Sequence, residues 1–119
     1  MNKVYVIDTS VLLYDCEAFF KFKDSNIIIP LVVIEELDRI KNDSLEKGYY
    51  ARKIFRILEE LVTNSNEDLK SGINVSKISK TSFLYNKVKD LNTIISIDFG
   101  LNQNIYTNPL NDFKVVSCA

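Results

Sequence analysis

Short apolar runs alternate along the chain with longer segments whose apolar residues recur every three or four positions. Residues 3–8 form a short, continuous, β-branched run, and residues 26–30 repeat it and close on a proline. Two similar runs follow at residues 93–98 and 113–117. Short apolar runs of this kind are typical of strands buried on both faces, so the pattern predicts four buried strands.

The intervening segments follow the helical period of about 3.6 residues. Apolar residues recur from Leu31 onward, and residues 49–62 form an amphipathic helix after a break in which Ser44 is a candidate cap. Residues 82–91 repeat the helical pattern, whereas residues 11–22 predict only one or two helical turns. The predicted inward positions are Val33, Leu37, Ile40, Ala51, Ile54, Ile57 or Leu58, Leu61, Phe83, Leu84, Val88 and Leu91.

Strands that alternate with helices predict an α/β fold, because parallel strands need helical crossovers between them. We expect one domain over residues 1–119, a three-layer sandwich in which a mostly parallel sheet carries helices on both faces. Residues 63–80 are polar and irregular, with a brief extended piece at residues 73–75. In such sheets, ligands bind beyond the carboxyl ends of the strands.

Two of the predicted strands end on a carboxylate. Asp8 closes the first run and Asp98 closes the run near the C-terminus, so both are expected at the same edge of the sheet. The simpler interpretation is that Asp8, Thr9 or Ser10 caps the following helix, since these residues accept from its free N–H groups. The sequence pattern alone does not decide between a ligand site at the sheet edge and a helix cap.

A third carboxylate lies on the helix that begins at Leu31. At 100° per residue, Glu36 falls about 60° from Val33, on the margin of the inward face, whereas Glu35 points to the opposite side. A charge at that margin is partly desolvated, which costs free energy unless a partner compensates. Glu36 is therefore either a candidate ligand or an ordinary boundary residue whose charged end reaches solvent.

Composition narrows the chemistry further. The chain has no His, which excludes His-based acid–base catalysis, His-containing triads and most zinc sites. Its formal net charge is −1, so any polyanion must be held by a local patch or through a metal. Cys16 and Cys118 lie far apart, and no signal-peptide or membrane-spanning pattern is evident, which predicts a cytoplasmic protein with free thiols.

The segments VYVIDTSVLLYD, NIIIPLVVIEELDRIK and GYYARKIFRILEEL resemble the PIN domain family, in particular the PIN domain that precedes the ATPase in PhoH-type bacterial proteins. The resemblance covers residues 3–62 and is weaker beyond them. It implies an Mg²⁺- or Mn²⁺-dependent nuclease acting on RNA. By the same resemblance, Asp8 and Glu36 match the first two metal-binding acids, and Thr9 or Ser10 matches a hydroxyl position near the metal.

The second half departs from the family pattern. The third acid of the family is expected at the start of the helix over residues 82–91, but residues 79–84 contain none and Asp90 lies at the far end. Asp98 lies close to a fourth acidic or hydroxyl position of the family. The main hypothesis is thus an endoribonuclease with catalytic and metal-binding residues Asp8, Glu36 and Asp98, weakened by the missing acid.

Two alternatives accompany this hypothesis. One is a catalytically degenerate PIN-like module that binds RNA or a protein partner, and the other is a shared scaffold that docks onto another chain. Single-stranded RNA would need cations beside the acids, and a homodimer is suggested only by analogy with the family. The predicted nucleic-acid-binding residues are Lys41, Arg52, Lys53 and Arg56, although charges at such spacing also occur on ordinary solvated helices.

Overall fold

The computed structural model describes residues 3–100 and the backbone of residues 113–116. These residues form one five-stranded sheet with helices on both of its faces, as the alternation of patterns predicts. The strands are β1 (Lys3–Ile7), β2 (Ser25–Pro30), β3 (Ile73–Asn74), β4 (Ile94–Asp98) and β5 (Phe113–Val116).

The sheet has the order β3-β4-β2-β1-β5, and every neighbouring pair is parallel except β3 and β4. Pro30, the last residue of β2, lies beside Asp98, the last residue of β4. In the neighbouring pair, Val6 lies beside Ile28, two residues before Pro30, so Asp8 reaches the same level two residues later. The register therefore brings three chain segments to one edge of the sheet.

The helices are α1 (Thr9–Tyr14), α2 (Leu31–Ile40), α3 (Glu46–Thr63) and α4 (Tyr85–Val88). Short 3₁₀ turns occupy Ala18–Lys21 and Val75–Lys77. α1 and the first of these turns are the helical pieces after β1, where the pattern predicts one or two helical turns. Among the described residues, no helix is both long and apolar enough to cross a membrane.

The core confirms most of the predicted inward positions. Val33 and Leu37 of α2 are buried, as are five residues on one face of α3. Because both Ile57 and Leu58 are buried, the inward face of α3 is wider than a single stripe. The Cys16 thiol is free and buried, whereas Cys118 lies outside the described residues. The five residues of α3 are Ala51, Ile54, Ile57, Leu58 and Leu61.

The helix predicted over residues 82–91 is wrong in extent, and Phe83 is wrong in direction. A turn precedes α4 in which the Ser82 hydroxyl donates to Glu60 (2.8 Å) and accepts from the Leu84 N–H (3.2 Å). This turn directs Leu84 into the core and leaves Phe83 66% exposed. Local polar contacts therefore replace the first helical turn that the periodicity predicts.

The expected cap at Ser44 is also wrong. Leu45 precedes the first residue of α3 and makes no side-chain capping bond. Instead, the Asp43 carboxylate accepts from the Leu45 N–H at 2.7 Å and closes the turn between α2 and α3. β1 ends at Ile7, one residue earlier than the predicted run over residues 3–8, because Asp8 lies just beyond the strand and caps α1.

Candidate active site

A cleft of about 570 Å³ lies at the carboxyl edge of the sheet. The ends of β1 and β4 and the first half of α2 form its walls, which is the place where parallel sheets bind ligands. The residues predicted to bind metal, which come from three separate elements, all line it. Its polar side chains among the described residues are Asp8, Thr9, Glu35, Glu36 and Asp98.

Asp8 is half-buried and caps α1. Its Oδ1 atom accepts from the Val11 N–H at 3.2 Å and from the Ser10 hydroxyl at 2.9 Å. The capping interpretation is therefore confirmed. It does not exclude a ligand, because a carboxylate offers about four acceptor positions.

The two hydroxyls that follow Asp8 have different surroundings. Thr9 is buried and lines the cleft, and its Oγ1 atom makes no hydrogen bond with the described residues. Ser10 is exposed and lines a neighbouring groove instead. Since a buried hydroxyl without a partner costs free energy, Thr9 is the better candidate for a ligand contact.

The two adjacent glutamates of α2 differ in burial, as the helical geometry predicts. Glu36 is half-buried and Glu35 is exposed. Both nevertheless line the cleft, whereas the sequence placed Glu35 on the opposite side of the helix. The cleft lies against the side of α2 that the core does not cover, and positions four residues apart, such as Leu31 and Glu35, share that side.

Asp98 ends β4 and is half-buried. Its Oδ1 atom accepts from the Gly100 N–H at 2.9 Å, which closes a tight turn around Phe99. Gly100 adopts a φ of 89°, a backbone conformation that residues other than glycine rarely adopt. The turn thus holds the carboxylate of Asp98, and both Asp98 and Phe99 line the same rim of the cleft.

Donor chemistry favours a hard divalent cation in this cleft. Every polar side chain that lines it in the described part of the chain offers oxygen, the ligand atom that Mg²⁺ and Mn²⁺ prefer, and none is Lys or Arg. Among residues 3–100, no three Asp, Glu, Cys or His side chains are close enough together to hold one ion. The cleft therefore fits a metal by chemistry and position, and a shared ion would require its carboxylates to converge.

The predicted nucleic-acid-binding cations lie elsewhere, and three of the four have partners within the chain. Lys41 pairs with Asp38 at 2.6 Å. The Arg52 Nη1 atom donates to the Lys41 carbonyl at 2.6 Å and to the Asp43 carbonyl at 3.2 Å. Lys53 Nζ lies 3.7 Å from a carboxylate oxygen of Glu17.

The fourth predicted cation, Arg56, is exposed and forms no ion pair within the described part of the chain. None of the four predicted cations lines the cleft. The predicted acids therefore line the cleft, and the predicted cations lie outside it.

A second groove, of about 680 Å³, lies between α1 and the start of α3. Tyr14 at its rim is 85% exposed, and Leu45 is 73% exposed. The Tyr49 and Tyr50 rings contact edge to face at 5.3 Å, and Tyr50 packs against the core, as expected for at least one of them. The Glu46 carboxylate raises the pKa of the Tyr50 hydroxyl. This groove thus combines exposed aromatic surface with side chains of both charges, Asp43 and Glu46 beside Lys47.

Comparison with known proteins gives a family for the chain. Residues 5–119 match the family model described as PIN domain, so the likeness extends into the second half of the chain. Protein PhoH2 of Bacillus subtilis is 43% identical over 61 residues, which are 51% of this chain and 14% of that protein.

Two further curated relatives carry the same name. Protein PhoH2 of Thermobispora bispora is 44% identical over 60 residues, or 50% of this chain and 14% of that protein. Protein PhoH2 of Mycolicibacterium smegmatis is 41% identical over 59 residues, or 50% of this chain and 13% of that protein. The matched part is thus about one seventh of each relative's length, and no solved structure matches the chain.

Proposed function

Because the chain belongs to the PIN domain family, whose members are generally nucleases, we propose that it is a metal-dependent endoribonuclease. The reaction would be hydrolysis of phosphodiester bonds in single-stranded RNA. One observation carries the proposal: Asp8, Glu36 and Asp98 come from three elements and line one cleft. Capping alone accounts for Asp8 but gives no reason for the other two acids to line the same cleft.

In this proposal Asp8, Glu36 and Asp98 hold Mg²⁺ or Mn²⁺, and the Thr9 hydroxyl lies close to it. When bound, such an ion polarises a phosphodiester oxygen and lowers the pKa of a coordinated water. The carboxylates also repel the phosphates of RNA, so RNA binding depends on the cation. The half-buried position of Glu36 would strengthen its attraction to the cation, because part of the glutamate is removed from water.

A second candidate function is a module that binds a protein partner or RNA without cutting. Two observations favour it. The described acids do not converge as a group of three, and most of the predicted RNA-binding cations are engaged within the chain. Under this alternative, a protein partner or a second copy of the chain covers the groove around Tyr14.

Thermal unfolding with and without millimolar Mn²⁺ tests the metal site directly. A ligand that binds only the folded state stabilises it by about 2.7 kcal/mol at a hundred times its Kd. We expect the melting temperature of the wild type to rise and that of Asp8→Asn to stay unchanged. Asparagine caps helices as well as aspartate does, so this substitution removes the charge and keeps the cap of α1.

Matched controls separate ligand loss from a general loss of negative charge. Asp38→Asn removes an exposed carboxylate from the same helix as Glu36, outside the cleft, and should keep the Mn²⁺ shift. Glu36→Gln should lose the Mn²⁺ shift. Glu35→Gln should keep it, because Glu36 is the one of the two glutamates that the proposal assigns to the metal. A wild type that saturating Mn²⁺ does not stabilise would exclude the metal site and favour the binding module.

Cleavage of a labelled single-stranded RNA, with EDTA as the negative control, then decides between the two functions. We expect cleavage by the wild type that EDTA and Asp8→Asn both abolish. Metal-dependent stabilisation without cleavage would assign metal binding to a module that does not cut.

A further inference from the structure

The candidate cleft has an apolar side that metal binding does not explain. Pro30, Val32 and Phe99 line it together with the carboxylates. Val32 is 57% exposed and Phe99 is 45% exposed, although both are large apolar side chains. Exposed apolar surface inside a cleft is typical of a site that contacts the less polar part of a ligand.

The backbone on both sides of Phe99 is closed into a turn. The Gly100 N–H donates to the Asp98 carboxylate at 2.9 Å, and the ring lies at the tip of this turn. An aromatic ring directly after a candidate ligand can contact the same molecule as that ligand. The structure therefore couples an aromatic surface to a carboxylate through a single backbone turn.

A ligand that suits this cleft has an anionic part for a metal and a flat, weakly polar part for the ring. A nucleotide of single-stranded RNA has both, because every base has a π-face and lies next to a phosphate. An apolar peptide would use the ring but would have no need of the carboxylates. A duplex would keep its bases stacked on one another and unavailable to the ring.

We propose that Phe99, together with Val32, is a stacking site for one base of single-stranded RNA, whose adjacent phosphate binds at Asp8, Glu36 and Asp98 through a divalent cation. This inference rests on the proposed function for the phosphate, but the base contact itself does not require cleavage. Phe99 is thus a positioning residue that sets where the strand lies across the cleft.

Fluorescence of a Phe99→Trp variant gives a readout that is independent of catalysis. The chain contains no Trp, so the new indole is the only one and reports on its own surroundings. Phe83→Trp is the matched control, because Phe83 is also exposed, at 66%, and lies outside the cleft. Both variants are titrated with a short oligoadenosine and with an abasic strand of the same length, each with Mg²⁺ and with EDTA.

We expect oligoadenosine to quench the indole of Phe99→Trp in Mg²⁺, with little quenching by the abasic strand or in EDTA. The indole of the Phe83→Trp control should be quenched little in every condition. Equal quenching of Phe99→Trp by the abasic strand would overturn the base contact. Quenching that persists in EDTA would overturn its coupling to the acids. An unquenched Phe99→Trp variant would overturn the inference, whether a labelled RNA binds in the same conditions or fails to bind.

Kinetics separate positioning from a structural role. Phe99→Ala should raise KM for the RNA about tenfold, as expected for the loss of one stacked base, with kcat unchanged. Phe99→Tyr should restore KM, because tyrosine keeps the aromatic face. A fall in kcat alone, or no rescue by tyrosine, would overturn the assignment.

The two proposals can fail separately. Quenching of the Phe99→Trp indole without any cleavage by the wild type would retain the stacking site and exclude the nuclease. Cleavage together with an unquenched indole would retain the nuclease and exclude the stacking site.

Discussion

The acidic cleft and the basic surface of α3 were both predicted from charged residues in the sequence, but these residues have different surroundings in the structure. In the cleft, Asp8, Glu36 and Asp98 come from distant parts of the chain and line one cavity without any described Lys or Arg. On and beside α3, Arg52 and Lys53 contact carbonyls or carboxylates of this chain. The predicted acids therefore line one cleft, whereas three of the four predicted cations contact oxygen atoms of this chain outside it.

This difference follows from the elements that carry the charges. Parallel strands end at one edge, so residues such as Asp8 and Asp98 are brought together whatever their sequence separation. A residue on a helix surface instead meets whatever lies nearest, and for Arg52 that is the turn leading into α3. A cation on a surface helix is thus weaker evidence for a ligand than an acid at a strand end.

The largest expected effect concerns the close packing of the turn against α3. A Cβ atom added at Gly48 would lie 1.8 Å from the carbonyl oxygen of Asp43, which is backbone and cannot rotate away. We therefore expect Gly48→Ala to lower the free energy of unfolding by about 3 kcal/mol, as overpacking does. Urea denaturation measures it, with Glu59→Ala at an exposed position of the same helix as the control.

Helix propensity alone predicts the opposite sign, since alanine is favoured over glycine in a helix by about 1 kcal/mol. A stabilised Gly48→Ala would therefore show that the turn is free to move away. The inference that the turn packs rigidly against α3 would then be wrong.

A smaller effect separates a structural cation from one available to a ligand. Arg52→Lys keeps the charge but loses the geometry that contacts two carbonyls, so we expect it to cost about 1 kcal/mol of unfolding free energy. Arg56→Lys, on the same helix without an ion pair in the described part of the chain, should cost almost nothing. Equal stability of the two variants, with RNA affinity reduced only by Arg52→Lys, would return Arg52 to the predicted nucleic-acid contacts.

The smallest effect concerns an acid that does have a cation beside it. The Lys21 ammonium, 2.5 Å from Asp15, holds the pKa of Asp15 below its ordinary value of 3.8, and the Glu17 N–H adds to this effect. A lowered pKa in the folded state stabilises the protein above pH 3.8, and this stabilisation is lost as the pH falls through the folded pKa. Partial exposure and salt screening limit it to roughly a few tenths of a kcal/mol.

Asp15→Asn should therefore lower stability slightly at pH 6 and by less at pH 2.5, as measured by urea denaturation at both pH values. Asp38→Asn, at the exposed Asp38–Lys41 pair, provides the comparison. A pH dependence that is unchanged by Asp15→Asn would show that the ion pair with Lys21 does not form in solution.

β1, β2 and β4 were largely predictable because each is a short, continuous run rich in β-branched residues. The second half of the chain was less predictable. Periodicity over residues 82–91 indicates a helix, but the hydroxyl of Ser82 bonds to Glu60, 22 positions earlier. A contact of that sequence separation has no local signal, so the length of α4 and the exposure of Phe83 could not be derived from the pattern.

In the candidate site, too, one property was predictable from the sequence and another was not. Helical geometry correctly separated Glu36 from Glu35 by burial, since burial depends on the face that the core covers. It missed that Glu35, Val32 and Phe99 also line the cleft. A cleft is formed by neighbouring elements, and the pattern along one helix contains no information about the strand end beside it.

By itself, the sequence determined the order of strands and helices, the absence of histidine chemistry and the carboxylates at two strand ends. These properties follow from composition and from hydrophobic periodicity, both of which act over a few residues. The tertiary structure decided that Thr9 rather than Ser10 lines the cleft, that Arg52 contacts the turn before α3, and that Phe99 lines the cleft together with residues of β1 and α2. Those outcomes depend on the register of parallel strands and on the packing of α2 and α3, which join residues that are distant in the chain.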